Sequence, residues 1–248
     1  MTVGASSSPE KSRPSIFWLL AAIVVPLVGI VARIDIRDRE KLPSDGAFVL
    51  APNHHSEIDP LIVAVATWRM GRAPRFLAKE SLFRVPVLGA ALRATGMVPV
   101  ARSRGAAAQA LAQAKELAAK RNGVIVYPEG TLTRDPALWP MRGKSGAVRL
   151  ALAGDLPLIP MAQWGAQALM PRYGKLSLFP PRKPMTVVVG DAVDLSDLRG
   201  RTDQAAISEG TERLMAAITG LLEQLRGETA PPERWDPSQH GQTETGKL

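Results

Sequence analysis

Apolar and polar positions alternate along this chain in two different periods. Longer segments with apolar residues three and four apart indicate helices, and short apolar runs between turn residues indicate buried strands. Helices are predicted at 60–69, 86–94, 106–120, 146–153 and 202–225, and strands or extended segments at 34–36, 47–51, 75–78, 96–100, 124–127, 158–162 and 186–190. Strands that alternate with helices predict an α/β sheet protein rather than a bundle or a barrel.

The first apolar segment, residues 16–32, contains no charged residue and has Arg13 before it and Arg33 after it. As a helix it would extend about 25 Å, the low end of what spans a bilayer. Basic residues on both sides favour a helix that dips into one leaflet. A cleaved signal peptide and a buried soluble helix are the alternatives. We predict a membrane-associated helix over 15–33, on the cytoplasmic face of the cell membrane.

The two ends of the chain differ in composition from its centre. Residues 1–14 are polar, and residues 227–248 are rich in Pro, Glu and Gln, so both are predicted to be disordered. Residues 34–226 remain as one folded domain, which is long enough to bury a large core.

The net charge of +8 predicts attraction to something anionic. Nucleic acid is not expected, because no recognised binding motif is present and an aromatic content of 5% is too low for base stacking. An acidic membrane surface and a phosphorylated substrate remain. The chain has no cysteine, which excludes disulfides and thiolate metal sites.

The most informative chemistry is a histidine, His54, that precedes an aspartate, Asp59, by five residues and follows the strand at 47–51. On a regular helix the two side chains would lie about 140° apart and would not meet. They can meet if His54 lies in a turn and Asp59 caps the next helix, as Pro60 at its first position favours. A base and its orienting carboxylate would result. The alternatives are a plain helix cap and a loop histidine bound to backbone.

Three further segments follow predicted strands. Residues 96–102 end in Arg102, Glu129-Gly130-Thr131 follows the strand at 124–127, and Leu158-Ile159-Pro160 lies in another strand. Residues beyond strand ends converge on one crevice in open α/β sheets, so these segments can face His54. An arginine there would suit a phosphate group, because its guanidinium offers paired donors.

Taken together, these segments resemble the motifs of the glycerolipid acyltransferase family, and of the lysophosphatidic acid acyltransferases in particular. The counterparts, in the family's order, are His54 with Asp59, then residues 96–102, then Glu129-Gly130-Thr131, then Leu158-Ile159-Pro160. The likeness extends from about residue 34 to 225. It implies the family's fold, a mixed sheet flanked by helices.

The resemblance also implies an activity. A fatty acyl group would pass from acyl-coenzyme A or acyl carrier protein to the free hydroxyl of lysophosphatidic acid, giving phosphatidic acid. His54 would take the hydroxyl proton and Asp59 would hold the imidazole, with no metal or cofactor beyond the acyl donor. The implied substrate-binding residues are Arg102, Glu129, Gly130, Thr131, Lys79 and Arg134. Arg134 is included because Leu132 stands where the family often has a basic residue.

Several alternatives stay open. The acceptor could be glycerol-3-phosphate or another lysophospholipid, and the protein could be a basic membrane-surface protein without activity. A phosphate-loop reading of Gly143-Lys144-Ser145 fails, because position 138 is leucine. A metal hydrolase would need ligands beyond His54, His55 and Asp59, where His55 is expected to be a supporting or solvent-exposed residue. The acylated position, chain length, donor carrier and oligomeric state are not predicted.

Overall fold

Seven helices and seven strands alternate over the residues that the computed structural model describes, which are 15–79, 83–100 and 106–243. The helices are α1 Ile16–Val31, α2 Asp59–Arg69, α3 Pro86–Ala94, α4 Ala106–Lys120, α5 Gly146–Gly154, α6 Ala166–Leu169 and α7 Gln204–Arg226. The strands are β1 Ala32–Arg37, β2 Phe48–Pro52, β3 Leu77–Lys79, β4 Val98–Val100, β5 Gly123–Ile125, β6 Leu158–Trp164 and β7 Lys183–Val189. The α/β class predicted from the sequence is confirmed.

Five of the strands form one sheet in the order β1-β7-β6-β2-β5. Neighbours are parallel except for β6 and β7, which are antiparallel, so the sheet is mixed as the family resemblance implied. The parallel pair β3-β4 adjoins β5 through a bridge between Phe76 and Ile125. Because β2 and β5 are parallel, the loops after them leave from the same edge of the sheet.

Strand β2, which lies between β6 and β5, is buried on both faces, and its side chains alternate between two cores. Phe48 and Leu50 pack in the cluster that includes α1 and α2, whereas Val49 and Ala51 pack in the cluster that includes α4, α5 and α7. Helices therefore cover both faces of the sheet, which is the usual environment of a strand without polar residues.

The helix predicted over residues 15–33 is α1, and β1 follows it without a loop. Phe17 and Val28 are buried, and α1 packs along α2, with Trp18 and Trp68 in edge-to-face contact at 5.5 Å. Within the described residues, no helix combines the length and the apolar character needed to cross a membrane. The predicted membrane association of this helix stays a prediction.

Part of the segment predicted to be a disordered tail is ordered instead. Residues 237–240 form a 3₁₀ helix, and the Trp235 ring stacks on His240 at 3.5 Å. The Trp235 carbonyl accepts a hydrogen bond from the Arg142 amide at 2.9 Å, and Arg142 also pairs with Asp236 at 3.2 Å. The tail is polar in composition, but one aromatic ring and these contacts fix it to the domain. Residues 1–14 and 244–248, also predicted to be disordered, lie outside the described residues.

Candidate active site

The turn after β2 brings His54 and Asp59 into direct contact. The His54 Nδ1 atom lies 3.0 Å from Asp59 Oδ2. The Asp59 side chain is completely buried, whereas 15% of the His54 side chain remains exposed. A buried carboxylate thus holds a histidine whose outer edge reaches the surface of the protein.

Asp59 is the first residue of α2 and not its cap, because Ile58 occupies the cap position. Its carboxylate points back into the preceding turn, where Oδ2 also accepts hydrogen bonds from the backbone amides of His55 at 2.7 Å and Ser56 at 2.8 Å. The predicted cap position was wrong by one residue. The predicted meeting of the two side chains is nevertheless what the structure shows.

The charge of Asp59 fixes the tautomer of His54. Burial favours a raised pKa of Asp59, but the hydrogen bonds from His54 and from the Ser56 amide oppose it, and the pKa lies below its ordinary value. An ionised carboxylate is an acceptor only, so Nδ1 of His54 carries the proton and donates it to this hydrogen bond. The lone pair of the imidazole is then on Nε2, where a base needs it.

The His54 ring is held flat against Tyr127, with ring centroids 4.1 Å apart and an angle of 25° between the planes. Tyr127 stacks in turn on Phe76 at 6.3 Å. Among the described residues, none forms a hydrogen bond with Nε2 of His54. The ring is therefore fixed at one nitrogen and one face, and its second nitrogen is left for a ligand.

The loop after β5 holds the backbone of His54 at both of its polar groups. The Glu129 Oε1 atom accepts the His54 amide at 2.9 Å, and the Thr133 amide donates to the His54 carbonyl at 2.6 Å. The Glu129 Oε2 atom accepts the Met141 amide at 3.1 Å. Glu129 is completely buried. Through these two hydrogen bonds its carboxyl group connects the turn that contains His54 to the segment that contains Met141.

Burial raises the pKa of Glu129 to about 8, against the opposing effect of the Met141 and His54 amides. The folded protein therefore binds this proton more tightly than the unfolded chain does. The resulting stabilisation is complete below the ordinary pKa of a glutamate and is lost as the pH rises through about 8.

We expect Glu129→Gln to flatten the pH dependence of stability. Between pH 5 and 8 the free energy of unfolding of the wild type should fall, relative to the variant, by up to about 1.4 kcal/mol per pH unit. Urea unfolding at several pH values measures this. The control is Glu116→Gln, a surface position on α4. Parallel curves for wild type and Glu129→Gln would contradict the prediction.

The other predicted substrate-binding residues lie at different distances from this site. Gly130 is exposed and adopts a left-handed conformation with φ of 70°, and the Lys144 side chain lies directly over it. Thr131 is half-buried in the same turn. Lys79 is the last residue of β3. Arg102 comes two residues after the end of β4 and lies outside the described residues.

Arg134 is buried, and its guanidinium group lies 3.4 Å from the hydroxyl of Thr243 in the C-terminal segment. The C-terminal segment thus covers Arg134, the residue predicted to take the place of the basic residue that the family often has at the position of Leu132. Leu132 is itself buried. A phosphate-binding role for Arg134 stays a prediction that would require the C-terminal segment to move away.

Sequence reasoning missed the buried network below the site. His55 is not exposed: its Nε2 lies 2.8 Å from the side-chain oxygen of Gln167, and its Nδ1 lies 3.0 Å from the side-chain amide of Asn53. Burial lowers the pKa of His55, so this ring is neutral and structural. Nothing in the sequence signals Gln167, because it lies 112 residues away and shares no local pattern.

The hydroxyl group of Ser56, in the same turn, also has a hydrogen-bond partner. Its hydroxyl donates to the Met170 carbonyl at 2.5 Å. Within the described ranges, no group of three or more His, Asp or Glu side chains is placed to hold a metal ion. The arrangement around His54 can take a proton from a bound hydroxyl group, with Asp59 stabilising the positive charge that develops on the ring.

An α/β sheet that holds such a histidine and carboxylate at one edge can support general-base catalysis of group transfer to a hydroxyl. A family model described as Acyltransferase matches residues 33–164, just over half of the 248 residues. The chain belongs to this acyltransferase family. The resemblance inferred from the motifs is thereby confirmed.

Among curated relatives, a 1-acyl-sn-glycerol-3-phosphate acyltransferase of Bacillus subtilis is 30% identical over 200 residues, covering 77% of this chain and 91% of that protein. A chloroplastic enzyme of the same name from Brassica napus is 32% identical over 141 residues, covering 56% of this chain. The chain spans only 39% of the length of that plant relative.

The fold has a counterpart among solved structures. The crystal structure of the 1-acyl-sn-glycerophosphate acyltransferase PlsC from Thermotoga maritima superimposes with a TM-score of 0.62 and 20% sequence identity. The match covers 87% of this chain and 82% of that chain. At this identity the likeness concerns the fold.

Proposed function

We propose that this protein transfers a fatty acyl group from a thioester donor to the free hydroxyl of lysophosphatidic acid, forming phosphatidic acid. The observation that carries the proposal is the His54–Asp59 pair, whose Nδ1–Oδ2 hydrogen bond leaves Nε2 open at the edge of the sheet. The curated relatives carry the name of this reaction, which supports the choice of acceptor.

In this mechanism Nε2 of His54 removes the proton of the acceptor hydroxyl while the hydroxyl oxygen attacks the thioester carbonyl carbon. A new carbon–oxygen bond forms, and the carbonyl electrons move onto its oxygen. When the intermediate collapses, the carbon–sulfur bond breaks and the departing thiolate takes the proton from the His54 imidazolium. Asp59 stabilises the imidazolium throughout, and no covalent acyl-enzyme is required.

An apolar pocket between α1 and α2 supports the choice of a fatty acyl group. The pocket has a volume of about 290 Å³, and it is lined by residues that include Val24, Leu61, Ala64 and Phe76. Phe76 stacks on Tyr127, which stacks on His54, so the pocket lies two rings away from the base. We propose that the acyl chain occupies it, because its walls offer only apolar contacts.

We expect Ala64→Phe to shorten the preferred acyl chain, because a ring would fill part of this pocket. Each lost methylene contact corresponds to about 1 kcal/mol, so kcat/KM with palmitoyl-coenzyme A should fall by about tenfold or more relative to that with lauroyl-coenzyme A. Ala216→Phe, at an exposed position of α7, is the matched control. An unchanged ratio of the two donors would place the acyl chain elsewhere.

The acceptor's phosphate group is proposed to lie near the Glu129-Gly130-Thr131 turn. Lys144 lies over Gly130, Lys79 is the last residue of β3, and Arg102 comes two residues after the end of β4. Glu129 itself is proposed to act by positioning His54, since both of its oxygens accept backbone amides.

The outer face of α1 supports attachment to a membrane. Its large exposed apolar residues recur at helical spacing and are Ile16, Trp18, Leu19, Leu20, Ile23, Leu27 and Ile30. A contiguous apolar surface of this kind is typical of a membrane or protein contact. We propose that α1 lies in one leaflet of the cell membrane on its cytoplasmic side, where the net positive charge would favour anionic lipids.

The experiment that tests this proposal compares acceptors and donors with the purified wild-type protein. Lysophosphatidic acid and glycerol-3-phosphate are each offered with oleoyl-coenzyme A and with oleoyl acyl carrier protein, and the products are separated by mass spectrometry. The proposal predicts phosphatidic acid as the main product. Preferential acylation of glycerol-3-phosphate would show that lysophosphatidic acid is not the preferred acceptor. No transfer with any combination of donor and acceptor would refute the proposed activity.

A further inference from the structure

The segment between α6 and β7 carries apolar side chains that face solvent. All residues from 175 to 182 are exposed, and the exposed fractions are 50% for Leu176, 54% for Leu178 and 84% for Phe179. A buried aromatic or leucine side chain would contribute about 1.5–3 kcal/mol to stability, and this contribution is absent in the isolated protein. We refer to residues 175–182 as the apolar loop.

The apolar loop is attached to the domain by its backbone. The Ser177 amide donates to the Leu169 carbonyl at 2.7 Å, and the Lys183 ammonium group donates to the Phe179 carbonyl at 3.1 Å. These bonds leave the side chains of Leu178 and Phe179 pointing away from the core, since both remain largely exposed.

The charged residues within the apolar loop and next to it in sequence have one sign. Lys175 begins it, Arg182 ends it, and Lys183 follows it. No aspartate or glutamate occurs between Asp155 and Asp191. An apolar centre with cations on both sides matches the interface of an anionic bilayer, where basic side chains reach the phosphate groups while apolar side chains enter the acyl region.

The apolar loop is also next to the exposed face of α1. The Arg182 amide donates to the carbonyl of Ile30 in the last turn of α1 at 3.2 Å. Phe179 precedes Arg182 by three residues, so its backbone lies within about 11 Å of that residue. Leu27 and Ile30, at this end of α1, are themselves exposed.

We infer that the apolar loop inserts into an anionic phospholipid bilayer as a second contact beside α1. This inference rests on the proposed membrane attachment and extends it. A single helix lying in a leaflet would leave the protein free to roll about the helix axis. A second insertion point fixes that rotation and hence the direction in which the edge of the sheet with His54 faces the membrane.

A fluorescent reporter tests the insertion directly, because the chain has no cysteine and a single introduced one is labelled uniquely. The full chain carries an environment-sensitive dye at Phe179→Cys, or at Leu111→Cys as a matched control. Leu111 is an exposed leucine on α4, which packs on the opposite face of the sheet from α1. The probe is a vesicle of phosphatidylcholine and phosphatidylglycerol in a 3:1 ratio.

Insertion predicts a blue shift and protection from aqueous quenchers at position 179 and neither change at position 111. The double variant Leu178→Ser, Phe179→Ser should bind these vesicles at least tenfold more weakly than the wild type, with Leu111→Ser within twofold. A dye at position 179 that stays in water while the protein is vesicle-bound would overturn the inference. So would a double variant that loses self-association and keeps its vesicle affinity, because the loop would then contact a second copy.

These measurements are independent of catalysis. Vesicle binding without acyl transfer would refute the proposed activity and leave the inserted loop in place. Acyl transfer by a double variant that binds vesicles as the wild type does would refute the loop's role and leave the activity in place. With lysophosphatidic acid in detergent micelles, the double variant should retain the wild-type kcat within about twofold.

Discussion

Replacing His54 by alanine is expected to lower kcat for acyl transfer by about 10³-fold, within the range that a general base contributes. A lipid hydroxyl is a weak nucleophile near neutral pH, and the structure offers Nε2 of His54 as the atom to accept its proton. The substitution removes that atom and leaves the Glu129 and Thr133 contacts, which involve only the backbone of residue 54. Initial rates with oleoyl-coenzyme A and lysophosphatidic acid measure the effect.

The matched control for this substitution is His240→Ala. His240 is the histidine of the ordered C-terminal segment, where it stacks on Trp235. This variant should keep kcat within about twofold of the wild type. Vesicle binding and thermal unfolding of both variants show whether the protein is intact. Activity of folded His54→Ala close to that of the wild type would contradict the assignment of the base.

Asp59→Asn is expected to lower kcat by on the order of 10²–10³-fold with little change in KM. The asparagine oxygen can still accept the His55 and Ser56 amides, so the turn should keep its shape. The negative charge is lost, however, and with it the stabilisation of the His54 imidazolium. The amide nitrogen of the asparagine would take the place of Oδ1, which is buried and has no hydrogen-bond partner among the described residues. Its N–H groups would then be buried without acceptors, at a cost of about 1–3 kcal/mol in the free energy of unfolding.

Steady-state kinetics with Asp191→Asn as control separate these effects. Asp191 is exposed, and its partner is Lys41 at the surface, so the same chemical change there should leave kcat unchanged. A fall in kcat/KM caused mainly by a higher KM would show that Asp59 acts on substrate binding. That outcome would contradict its role in holding the imidazole.

The local parts of the fold could be predicted from sequence because their signals are local. The bounds of α3 and α4 agree with the prediction at both ends. Proline begins α3, and the helix-ending pair Asn122-Gly123 follows α4. The strand order and the antiparallel pairing of β6 with β7 could not be predicted. They depend on contacts between residues far apart in sequence, which periodicity does not reveal.

The residues of the candidate site also differ in whether local sequence could predict them. His54 and Asp59 were identified because they lie in one turn with a recognisable spacing. The backbone contacts from Glu129 and Thr133 were missed, since a buried carboxyl group in a turn reads equally well as a ligand-binding group. The ordered C-terminal segment was missed because its composition is polar, whereas its position depends on the single ring of Trp235 and on partners contributed by Arg142.

The central claim is that His54 and Asp59 act as one unit on the acceptor hydroxyl, and a double-mutant cycle tests it most directly. The quantity to measure is kcat for phosphatidic acid formation by the wild type, His54→Ala, Asp59→Asn and the double variant. If Asp59 acts only through the imidazole, the double variant should lose no more than His54→Ala alone, within about threefold. A double variant whose loss equals the product of the two single losses would show independent roles and contradict the account.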